Sequence, residues 1–222
     1  MPERIRIFIV CFMVVLLAFF SVGLSTSTAA EAAAKTPTQQ LKAGVDSLIA
    51  VLTDQSLKDE AGKKIVEDKV VELFQQHFDL AYTSQMCLGR HWRKLSREER
   101  NEFVSLFTDL LKSTYLNRVH EYSGETVKYK KEILRGKKAL VKTVVISKGK
   151  EIPVDYKMVN RGNGNWQVYD VVIEGVSMVR NYRSQFSSIL QKKKFADLLD
   201  QIRDKIAQNK AAKDAEKEPQ KG

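Results

Sequence analysis

The sequence predicts an α+β single domain, with helices packed on an antiparallel four-stranded meander. Three observations carry this expectation. Before about residue 120, apolar residues recur at helical spacing, and from Glu125 they alternate between short Gly-containing turns. The stretch Trp166 to Phe186, WQVYDVVIEGVSMVRNYRSQF, then changes period within itself. Trp166, Val168, Val171, Val172 and Ile173 form a β-branched, aromatic run suited to a strand. Glu174-Gly175 permits a sharp bend. Beyond it Val176, Val179, Tyr182, Phe186, Ile189 and Leu190 share one broad arc of a helical wheel. A strand that feeds a helix back onto its own sheet can enclose a cavity.

The N-terminus is a separate unit. Arg4 and Arg6 precede an uncharged run from Ile7 to Leu24, and Ser25 to Ala34 is small and polar. That order reads as a secretory signal peptide over residues 1–30, cleaved after Ala30 or after Ala34. An uncleaved membrane anchor is the alternative, because the apolar run approaches spanning length. Cys11 lies inside the run and is a poor lipid-attachment site. Cleavage leaves Cys87 as the only cysteine, so no intramolecular disulfide forms and the domain depends on its core. Cys87 sits among Ala81, Met86 and Leu88 and reads as a buried structural thiol. The 222-residue chain carries a formal charge of +10, and losing Arg4, Arg6 and Glu3 lowers it by one. Nucleic acid, anionic membrane and acidic protein all remain possible partners on charge alone.

After a lead-in from Ala32 to Pro37, the first helix spans Thr38 to Leu52, with Leu41, Val45, Leu48, Ile49 and Leu52 on one face. Ala61 to Phe78 repeats the pattern through Ile65, Val66, Val70, Leu73 and Phe74. Asp79 to Leu88 forms a short helix or turn, ended by Gly89. Ser96 and Glu99 make a capping box that opens a helix running to about Val119. Its stripe, Phe103, Leu106, Phe107, Leu110 and Thr114, widened by Val104, Leu111, Tyr115 and Val119, exceeds what one neighbour covers. Either two elements bury it or it lines a cavity. Four strands follow: one from Glu125, then Ala139 to Ser147, Ile152 to Asn160, and the strand from Trp166. They are joined at Arg135-Gly136-Lys137, Lys148-Gly149-Lys150 and the hairpin Arg161-Gly162-Asn163-Gly164-Asn165. Phe195 to Ile206 makes a last amphipathic helix, and residues 209–222 have the composition of a disordered tail.

Catalytic chemistry has little to build on. His77, His91 and His120 lie in no HExxH or nucleophile-elbow context, and no ligand spacing suits a metal. Asp155 alternates outward. Asp170 faces inward, where a cation such as Arg183 would pair with it. Arg183 falls inside the apolar arc of its helix, so it must either pair or reach an aqueous mouth. Its guanidinium fork also suits a lipid phosphate there. The runs Lys128-Tyr129-Lys130-Lys131, Lys137-Lys138 and Lys192-Lys193-Lys194 read as solvated surface or as a docking face for an acidic membrane protein. Export and the lack of an aromatic-interleaved motif argue against nucleic acid.

Three segments, FDLAYTSQMCLGRHWRKLSREERNEFVSLFTDLLKSTY, IPVDYKMV and WQVYDVVIEGVSMVRNYRSQFSSIL, together resemble the MlaC family of periplasmic phospholipid shuttles. These proteins are also called toluene-tolerance or ABC-transporter auxiliary proteins. The lysine-rich tail and Lys192 to Lys194 depart from the family pattern, which often has a Gly near that helix end. The resemblance implies a cup-shaped, nuclear-transport-factor-like fold over residues 31–208, with the curved sheet and its helices enclosing an apolar pocket. It also implies a function, carrying phospholipid between an outer-membrane lipoprotein–porin complex and an inner-membrane ABC transporter and so maintaining outer-membrane lipid asymmetry. It further implies a periplasmic monomer with no cofactor beyond its lipid cargo. Carried onto this chain, the pocket residues are Phe107, Leu111, Tyr115, Val141, Val154, Tyr156, Val172, Val176, Val179 and Tyr182, with Arg183 at the headgroup. Ordinary core packing is the alternative for each. The competing functions are an isomerase- or dehydratase-like enzyme in the same cup, a carrier of a hopanoid or polyisoprenoid lipid, and a scaffold.

Overall fold

The structure, a computed structural model, describes residues 35–57, 59–115 and 122–217. The expected leader and its cleavage sites, the helix end near Val119, His120 and the last five residues of the tail lie outside the described residues.

The first helix, α1 (Pro37–Thr53), starts where Thr36 and Gln39 cap each other: Gln39 N donates to Thr36 Oγ1 at 3.2 Å and Thr36 N to Gln39 Oε1 at 2.9 Å. Helix α2 (Glu60–His77) is capped by Asp59, and α3 (Leu80–Leu88) by Asp79, which accepts from Tyr82 N at 2.9 Å. Gly89, at φ +55°, ends α3 as the sequence predicts. The Ser96–Glu99 capping box forms, with bonds of 3.1 and 2.8 Å, and opens α4 (Arg97–Tyr115).

The sheet follows in strict chain order: β1 (Thr126–Arg135), β2 (Lys138–Ser147), β3 (Lys150–Asn160), β4 (Trp166–Ile173) and β5 (Val176–Ser177), all antiparallel. The fifth strand corrects the expected four. Glu174 and Gly175 both take positive φ, 48° and 81°, and this turn brings Val176 and Ser177 back onto Ile173 and Val172 before any helix begins. Ser177 then caps α5 (Met178–Leu190), accepting from Arg180 N at 3.0 Å. The last helix, α6 (Phe195–Lys217), corrects the expected tail, because it continues well beyond Asn209. Tertiary contacts hold that extension. Asn209 Nδ2 donates to Ser113 Oγ and Thr114 Oγ1, both at 3.1 Å, and Lys213 pairs with Glu67 at 2.9 Å. A polar composition is compatible with a helix once another element supplies partners.

Two apolar clusters build the interior. One joins the inner sheet face, including Val141, Val145, Val154, Tyr156 and Val168, to Leu41, Val45 and Ile49 of α1 and Val66 and Val70 of α2. The other joins α3, α4, α5 and α6 around Phe103, Phe107, Leu111, Tyr182, Phe186 and Leu198. Helix α4 is thus buried from two sides, by α5 and α6, which explains its wide stripe. Among the described residues no helix is long and apolar enough to cross a membrane.

Candidate functional site

A crevice opens where the first cluster fails to close. Helix α1 supplies Gln40, Leu41, Gly44, Val45 and Leu48, a spacing that keeps all five on one face. The second helix supplies Val70, Leu73, Phe74 and His77, with Phe78 just beyond. Tyr156 and Met158 of β3 and Val168 of β4 form the floor. The space not filled by atoms is about 750 Å³, mouth included. The walls are hydrocarbon or aromatic except for Gln40, the His77 ring and the Tyr156 hydroxyl.

Gly44 sets the closest approach of the two helices. A Cβ there would lie 2.8 Å from the His77 ring, so only a hydrogen at that position lets the imidazole pack against α1. Burial, and secondarily the charge of Lys35, holds the His77 pKa below its ordinary value. The ring is therefore neutral at neutral pH.

Of the residues expected at the pocket, Tyr156 lines the crevice. Val141 and Val154 lie on the same sheet face, Val141 directly opposite Tyr156 in register, but both are packed into the solid part of that cluster. Phe107, Leu111, Val179 and Tyr182 lie in the other cluster, and Tyr115 packs against it. There the Phe107 ring meets Tyr182 edge-on at 4.9 Å and Phe186 at 5.5 Å. Val172 is half-buried on the opposite face of β4. Val176 is 47% exposed, because it belongs to the short β5 rather than to the apolar arc of α5.

The expected Asp170–Arg183 pair does not form. Asp170, 1% exposed, accepts from Lys157 Nζ at 2.8 Å, Ser177 Oγ at 2.7 Å and Val179 N at 3.0 Å. Lys157 is its cross-strand neighbour, and the carboxylate anchors the start of α5. Arg183 instead turns to α3, where its Nε donates to the Met86 carbonyl at 2.6 Å. Neither residue lines the crevice. Cys87 is fully buried, and burial first, then the Asp170 carboxylate, pushes its thiol pKa well up. It is an inert packing group.

The crevice walls on α1 and α2 are the residues that sequence reasoning assigns to core faces. Their apolar periodicity is visible in the sequence, and so are three interruptions on those faces: Gln40, Gly44 and His77. Polar and small side chains inside an apolar stripe are the signal that could have found the site.

A family model described as MlaC protein matches residues 42–204. Among curated proteins, the intermembrane phospholipid transport system binding protein MlaC of Haemophilus influenzae is 25% identical over 137 residues, 60% of this chain. The match spans 64% of that relative's length. Among solved structures, the phospholipid-binding protein of Ralstonia solanacearum, in complex with a phospholipid, is similar with a TM-score of 0.68 at 24% identity. The likeness covers 79% of this chain and 99% of that one and is one of fold.

Proposed function

The chain belongs to the MlaC family, and from that premise we propose that it carries phospholipid, holding acyl chains in the crevice between α1, α2 and the sheet. The observation that carries this reading is the crevice itself, an opening walled almost entirely by apolar side chains. Ligand pockets of this kind hold a few polar groups in an apolar lining. Covering each methylene is worth about 0.8 kcal/mol, so an acyl chain moved through water needs such a cover. Beside His77 the crevice walls carry no carboxylate or thiol, and the Tyr156 hydroxyl is their one further titratable group. A carrier is therefore better supported than an enzyme. The relative from Haemophilus is named for intermembrane phospholipid transport. By analogy this chain takes lipid between an outer-membrane lipoprotein–porin complex and an inner-membrane ABC transporter. It works in the periplasm after loss of residues 1–30, as the domain from residue 31 onward. Mass spectrometry of an organic extract from the purified protein tests the central point. Stoichiometric phospholipid is the expected result, and protein that neither retains nor takes up lipid would defeat it. Intact-mass analysis of exported protein tests the processing, since retained Met1 restores the anchored alternative.

A further inference from the structure

The crevice is chemically lopsided. Its two polar wall residues apart from the floor tyrosine, Gln40 and His77, both lie toward the end where α1 starts and α2 finishes. Toward the other end, at Leu48 and Val70, the walls are hydrocarbon. Gln40 stands one helical turn before Gly44, and Gly44 is where the His77 ring touches α1. The two side chains therefore share one end of the opening.

Neighbouring polar groups on these helices are already engaged. Thr38 donates from N and Oγ1 to Glu132 at 2.8 and 2.6 Å, Gln39 closes the capping box, and Gln76 donates to Glu72 at 3.0 Å. Among the described residues, by contrast, the Gln40 side-chain carboxamide and the His77 imidazole make no hydrogen bond to protein, and both residues are half-buried. Lys35, exposed just before the cap of α1 and so at the same end of that helix as Gln40, makes no ion pair among the described residues. A neutral imidazole, a carboxamide and an ammonium all offer N–H donors. No carboxylate lines the crevice to oppose an anion.

Building on the carrier reading, we infer that Lys35, Gln40 and His77 form the seat for an anionic oxygen headgroup, a phosphodiester or a carboxylate, and thereby fix which end of the cargo faces out. The hydrocarbon end of the crevice takes the chains. Donors at the mouth complete the amphiphile's polar end and give direction to a lining that is otherwise non-directional. Arg183, held by the Met86 carbonyl on another part of the molecule, takes no part.

The test compares binding ratios in the full chain stripped of lipid. Short-chain phosphatidylglycerol is titrated against diacylglycerol with the same chains, in the wild type and in Gln40→Leu/His77→Leu. The wild type should prefer the anionic lipid by at least about tenfold, as one charge-assisted hydrogen bond would already give, and the double variant should lose most of that preference. His77→Asn, which keeps a donor, should retain more of the preference than His77→Leu, and it replaces the double variant if that one melts early. Oleate against oleyl alcohol then separates the sources. A parallel loss assigns the seat to anionic oxygen in general, and an unchanged ratio assigns it to phosphate. Equal preferences in wild type and variant overturn the headgroup seat while leaving the carrier standing. A wild type that binds none of the four ligands defeats both.

Discussion

A glutamate introduced into the crevice and a glutamate introduced into the aromatic cluster should have opposite consequences. Leu111 is 1% exposed among Phe107, Val179 and Tyr182. Truncating a leucine in such a site costs about 2–5 kcal/mol, and an unpaired carboxylate there adds several more. The sum is comparable with the entire stability of a domain, about 5–15 kcal/mol, so Leu111→Glu should not fold. Leu73 is half-buried on the crevice wall. A carboxylate at that position reaches water once the crevice empties, and the cost to folding falls to about 1–2 kcal/mol. Bound acyl chains would have to dehydrate it, so lipid occupancy should drop by about tenfold for each 1.4 kcal/mol of that penalty. The assay is thermal unfolding by circular dichroism beside phospholipid-to-protein ratio in the same preparations. A cooperative melt with little lipid is expected for Leu73→Glu, and no cooperative melt for Leu111→Glu. A folded, lipid-poor Leu111→Glu, or a Leu73→Glu that keeps its lipid, would refute the location of the site.

Asp170→Asn should destabilise the protein by about 1–3 kcal/mol in urea unfolding, since it removes the charge that Lys157 answers and puts a donor where Lys157 and Ser177 both donate, while the bond from Val179 N can persist. His77 is held neutral in the fold, so its contribution is intact above the unfolded value near 6.5 and declines as pH falls through and below it. His77→Phe should flatten the pH dependence of stability in that range. Cys87 should resist alkylation in native protein and label promptly in denaturant. Docking to membrane complexes should weaken as salt rises, over a screening length of about 8–10 Å. Reversing Lys128, Lys130 and Lys131 on edge strand β1 should weaken it further, and a surface plasmon resonance series unaffected by either change would rule out a basic docking face there.

Features set by neighbouring residues are legible in the sequence alone. The Ser96–Glu99 box, the stop at Gly89, the turns around Gly149 and Asn163 and the alternation through β2 and β3 each depend on a few adjacent side chains. The β5 strand is hidden because two residues, Val176 and Ser177, are too short to show a period before α5 begins. The end of α6 is hidden because its last turns depend on partners far away in sequence, Glu67 and Ser113. The site is the least legible part, for a different reason. Periodicity shows that a helix face is apolar, but not whether another side chain fills the space against it. The wide stripe of α4 invites a cavity, yet α5 and α6 close on it, with Phe103 set against both Phe186 and Phe195. The narrower faces of α1 and α2 look sufficient for ordinary packing, yet they stand apart over Tyr156 and Met158. What distinguishes the two cases is the content of the stripe rather than its width. Phenylalanines from several helices fill the one, whereas a glycine, a glutamine and a histidine interrupt the other at the end where an amphiphile would need its polar contacts.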